Sequence, residues 1–82
     1  MTIRVYEDPR SDFYSLIVVN QGGILRKIYT PFRVLCVVSI EGIQANTQVY
    51  VDAVFCSESG EIYYVIFQRI IKHVHFHILV SF

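Results

Sequence analysis

Apolar residues fall in short runs along this chain, and each run is closed by residues that favour turns. Val, Ile, Tyr and Phe dominate the runs while Ala is nearly absent, a bias toward strands. Thr2 to Tyr6 reads as a first short strand, closed by the loop Glu7-Asp8-Pro9-Arg10-Ser11-Asp12. Phe13 to Val19 and Ile24 to Tyr29 flank Asn20-Gln21-Gly22-Gly23, the pattern of a β-hairpin whose glycines supply the positive φ of a tight reversal. A short helix within 9–20 competes with the first arm of that hairpin. Asp8 would cap it, Pro9 would open it, and Phe13, Leu16 and Ile17 would share a face. The paired β-branched Val18 and Val19 favour the strand.

After Thr30-Pro31, residues Phe32 to Ile40 form a nearly continuous apolar run, which predicts a central strand covered on both faces. The loop 41–46 leads into Thr47 to Phe55, where Val49, Val51 and Ala53 alternate with Tyr50, Asp52 and Val54. Cys56-Ser57-Glu58-Ser59-Gly60-Glu61 is the plainest turn, so 47–55 and 62–68 should pair as an antiparallel hairpin. Arg69 to Lys72 bends or continues that strand, and His73 to Ser81 is the last one. About five to six strands on these spacings predict an all-β fold, a small antiparallel barrel or strongly curved sheet of SH3-like or OB-like size. Residues 1–82 form a single small β domain on this reading.

Composition sharpens the picture. Of the 82 residues, 54% are apolar by the broad count, more than so short a chain easily hides, so part of that surface is expected to meet a partner. Seven basic and seven acidic residues cancel, which removes any overall field for drawing in nucleic acid or anionic lipid. No apolar run reaches the ~18 residues that a membrane-spanning helix needs, and MTIRVYEDPR lacks the apolar region of a secretory leader. The expected setting is cytoplasmic, with Cys36 and Cys56 as reduced thiols that behave as small hydrophobes.

One stretch invites a chemical reading. KHVHFHILV places His73, His75 and His77 at alternate positions, and on a strand two such imidazoles lie about 6.6 Å apart on one face, close enough to share a zinc ion. The outer two would lie about 13 Å apart, so at most two of the three could bind one metal, and further ligands would have to come from Asp52, Glu61, Cys56 or a second chain. Any half-buried strand shows the same alternation without a metal, and the expectation is therefore no cofactor, with zinc as the alternative. Three imidazoles on one face would also charge together below about pH 6.5.

Aromatic and basic residues form the second constellation. Tyr50, Tyr63 and Tyr64 could stack bases while Arg33, Arg69 and Lys72 contact phosphates, the chemistry of a small barrel that binds single-stranded nucleic acid. Adjacent Tyr63 and Tyr64 must face opposite sides of their strand, so one of them points outward. Aromatic cross-strand pairs explain the same residues without a ligand. No glycine-rich phosphate loop, paired CxxC or GxSxG occurs, and no catalytic residues are assigned. The leading expectation is a non-catalytic protein-protein interaction domain, a homo-oligomer or a small subunit of a larger assembly. Nucleic-acid binding and metal binding through the histidine strand follow as alternatives.

Overall fold

The computed structural model describes residues 3–9 and 13–81, and these fold into three small antiparallel sheets without an α-helix. The first sheet has the order β1-β2-β3, built from Arg4–Tyr6, Ser15–Val19 and Leu25–Tyr29. The hairpin expected around Gly22-Gly23 is present, with Val19 opposite Leu25 and Ser15 opposite Tyr29. Strand therefore prevails over helix at 15–19, because Leu16 and Val18 alternate into the core on a period of two. The expected start at Thr2 and the loop residues 10–12 lie outside the described residues.

No helix among the described residues follows Asp8. Its carboxylate is buried, accepts a hydrogen bond from Ser15 Oγ at 3.3 Å and meets Lys27 Nζ at 2.7 Å, pinning the chain after β1 to β2 and β3. The hydrogen bond with Asp8 raises the Lys27 pKa above its ordinary value. Stability from this contact is thus fully present below the usual lysine pKa of about 10.4 and is lost as pH rises through the raised one. Asp8→Ala should cost about 1–3 kcal/mol, and the alkaline limb of the variant's stability profile should flatten. An unchanged urea midpoint would show that the anchor does not hold the sheet.

The second sheet, β5-β4-β9, comprises Gln48–Val51, Phe32–Cys36 and Phe76–Ile78. Strand β4 is central, as its apolar run implies, but it ends at Cys36 rather than Ile40, and only one face is fully covered. Phe32, Val34 and Cys36 point inward whereas Arg33 is exposed and Leu35 half-buried. Val37 and Val38 emerge into solvent, and the chain reverses through Glu41-Gly42 between bridged Ile40 and Ile43.

The third sheet, β6-β7-β8, comprises Ala53–Cys56, Ile62–Ile66 and Arg69–Lys72. Strands β5 and β6 are two halves of the single strand expected at 47–55, divided at Asp52, whose N–H bonds Val65 O at 2.9 Å. Val49 and Val51 face inward before the break and Val54 after it, so the interruption shifts the alternation by one residue and passes the chain from one sheet to the next. Residues 69–72 do not continue β7. They turn back on it, with Ile66 opposite Arg69 across the two-residue turn Phe67-Gln68.

The inner faces of all three sheets contribute to one hydrophobic cluster that includes Leu16, Val34, Val51, Ile66 and Tyr64. Tyr64, at 1% exposure, meets the rings of Phe32, Phe76 and His73 at centroid distances of 5.6, 6.0 and 6.3 Å. The first and third sheets also touch through Val54 N–H, which donates to Phe13 O at 2.7 Å, and through the Phe13 and Phe55 rings at 4.9 Å. No helix among the described residues is long and apolar enough to cross a membrane.

Candidate functional site

The histidines do not share one strand. His73–His75 form a 3-10 turn, and only His77 lies within β9, which corrects the strand expected from 73 to 81. The turn is required because β8 pairs with β7 whereas β9 pairs with β4, so the chain must change sheets between Lys72 and Phe76. On a helix of three residues per turn, side chains two apart point in different directions. His73 is half-buried, with Nδ1 3.0 Å from Ile62 O and its ring beside Tyr64; the His77 side chain is exposed opposite Leu35. Among the described residues, no group of three or more His, Cys, Asp or Glu side chains is placed to hold a metal ion.

The aromatic and basic candidates divide between two surfaces. Arg33 and Tyr50 face each other across β4 and β5, both exposed, with Arg33 Nη1 3.5 Å from Gln48 Oε1. Tyr63 and Lys72 are cross-strand neighbours on β7 and β8, and both reach Glu61. Tyr63 Oη donates to one carboxylate oxygen at 2.7 Å and Lys72 Nζ approaches the other at 3.2 Å. Those contacts, Tyr63 first, hold the Glu61 carboxyl below its ordinary range, while the adjacent carboxylate raises the Tyr63 phenol. Tyr64, the inward member of the pair, is a core residue, and burial raises its phenol strongly. Arg69 donates to Glu41 O at 2.8 Å and lies 3.3 Å from its carboxylate. Two of the three cations named for phosphate binding, Arg69 and Lys72, therefore face carboxylates of this chain.

Both cysteines are free. Cys36 is buried, its thiol 2.9 Å from Val38 O, and desolvation followed by the contact with Glu7 raises the Cys56 thiol, which keeps it protonated and a poor nucleophile.

A surface of a different kind lies on the outer face of the first sheet. Strand register aligns Arg4, Val19 and Leu25 in one row and Tyr6, Ile17 and Lys27 in the next, followed by Tyr29. Leu25 and Tyr29 are 61% and 64% exposed, Ile24 in the adjoining turn is also exposed, and Lys27 Nζ lies 5.3 Å from the Tyr29 ring centroid. A row of large apolar side chains on the solvent face of a sheet departs from the inside-outside alternation of a half-covered sheet. Residue count implied such a surface, but only the register shows which side chains compose it. The chain matches no protein-family model, no curated protein and no solved structure.

Proposed function

We propose that the protein is a non-catalytic protein-protein interaction domain that works as a homo-oligomer or as a small subunit of a larger assembly. The observation that carries this reading is the apolar outer face of the first sheet, where Tyr6, Leu25 and Tyr29 stand exposed around Ile17 and Val19. Covering such a face removes apolar area from water at about 25 cal/mol per Å², the principal source of association energy. Two free thiols support a reducing, cytoplasmic setting. A strongly curved, barrel-like arrangement of the sheets is supported by the strand that divides at Asp52 to serve two of them and by their common core.

Native mass spectrometry of gently purified protein tests the reading. One defined oligomer, or one stoichiometric protein complex, is expected, and Leu25→Lys with Tyr29→Lys should release the monomer while leaving the far-ultraviolet circular dichroism unchanged. A wild-type chain that stays monomeric at high concentration, with no stoichiometric partner, would refute the proposal.

A further inference from the structure

Two strand edges face each other across a groove of about 360 Å³, bounded by β1 on one bank and by β9 with the 3-10 turn on the other. Ile3, Val5, Tyr64, Phe76 and Ile78 line it below, and Arg4, Tyr6, His73 and His77 stand around it. None of the described residues lining it is acidic. Strands β1 and β9 belong to separate sheets and do not pair.

Hydrogen-bond phase shows what these edges present. Asn20 N–H bonds Ile24 O and Thr30 N–H bonds Tyr14 O, so the bonded pairs between β2 and β3 fall on the even residues of both strands. Ile17 and Val19 must then turn their backbone groups toward Tyr6 and Arg4 of β1. Val5, between those two, directs its N–H and C=O away from β2. Across the groove, Val37 N–H bonds His75 O and Leu79 N–H bonds Arg33 O, which assigns the odd residues of this segment to β4. Ile78 accordingly directs its N–H and C=O away from β4, as Phe76 does its C=O, while Phe76 N–H closes the 3-10 turn on His73 O. Among the described residues, these outward edges pair with no other strand.

We infer that the β1–β9 groove receives an extended segment of a partner protein, added as a strand between the two sheets, with acidic side chains on its outward face and apolar ones toward Tyr64 and Phe76. This rests on the reading of the chain as an interaction domain and names the partner chemistry. Outward donors and acceptors on both banks match the main chain of a strand, whose alternation would send one set of side chains to the apolar floor and the other between Arg4 and His77. Inserted there, it would join β3-β2-β1 to β9-β4-β5 as one continuous sheet. The Arg4 guanidinium on the rim, with no carboxylate among the described lining residues, selects carboxylates over ammonium groups.

The test uses fluorescein-labelled pentapeptides that alternate valine with glutamate or with lysine, titrated by anisotropy against the full chain, with amide hydrogen exchange on the complex. Saturable binding of the valine-glutamate peptide is expected, with new protection at Val5 and Ile78. The valine-lysine peptide and the Arg4→Glu and His77→Glu variants should each weaken binding about tenfold, the scale of one charge-assisted contact. N-methylation of the peptide backbone at alternate residues should abolish it. Absence of binding, indifference to N-methylation, or protection confined to other strands would overturn the inference. So would an oligomer that already protects Val5 and Ile78 without peptide, because a second copy would then fill the groove. Failure of the peptides beside a defined oligomer that His77→Glu leaves intact would remove this groove and leave the interaction-domain reading standing.

Discussion

Tyr64→Ala should leave the protein close to or beyond its unfolding limit under native conditions. Removing a large buried aromatic side chain typically costs about 3–5 kcal/mol, whereas a chain of this length is expected to hold only about 4–12 kcal/mol in total. Tyr64 is the worst position at which to lose a ring. Its neighbours Phe32, Phe76 and His73 come from β4, β9 and the 3-10 turn, so one truncation opens space where two sheets and their connection meet. Backbone pairing fixes Phe32 and Phe76, which limits how far they can collapse into the cavity. The measurement is a urea titration followed by circular dichroism. Loss of less than about 1 kcal/mol would mean that Tyr64 does not join the sheets.

The first sheet extends this reasoning. Leu16 and Val18 are fully buried in the same cluster as Tyr64, so the first sheet should unfold together with the rest and not as an appendage. The Tyr64→Ala transition ought therefore to coincide when followed by tyrosine fluorescence and by backbone signal.

Much of this architecture was readable from residue order because its warrants were local. Gly22-Gly23 and the serine-rich turn before Ile62 marked reversals through conformations that side chains dictate, and both hairpins formed there. The inward residues of β2 and β5 followed period two, which burial on one face imposes. Where warrants were tertiary, the reading failed. KHVHFHILV has a strand's alternation, yet its first half is a 3-10 turn, because the change of pairing partner from β7 to β4 is decided by residues far away in sequence. Asp8 looked like a loop residue or a cap; its pairing with Lys27 depends on a register that nothing in EDPRSD specifies. The β1–β9 groove was equally invisible, being defined by which strand edges pair with no other strand after two sheets have formed.

The β7–β8 turn was also missed, and for a reason with an energetic consequence. Phe67 and Gln68 both have positive φ, at 51° and 63°, in a two-residue hairpin loop that ordinarily selects Asn-Gly or Asp-Gly. Each L-residue held in the left-handed region pays roughly 1–2 kcal/mol in crowding of Cβ against the backbone. The Phe67 ring recovers little by packing, being 67% exposed. Replacing the pair by Phe67→Asn and Gln68→Gly should therefore stabilise the protein by about 1–2 kcal/mol after the added flexibility of glycine in the unfolded chain is offset, a rise of roughly 5–10 °C in Tm. Phe67→Ala with Gln68→Ala, which keeps the unfavourable φ values while removing the same side chains, should give no such rise. Equal gains in both variants would assign the effect to lost surface hydrophobicity. A loss in the Asn-Gly variant would show that Phe67 supports the neighbouring Glu41-Gly42 turn, which Arg69 already ties to β8. The sheet pairing between Ile66 and Arg69 imposes this turn on residues that resist it, so relaxing it at two positions tests directly whether register, and not local preference, shapes this end of the molecule.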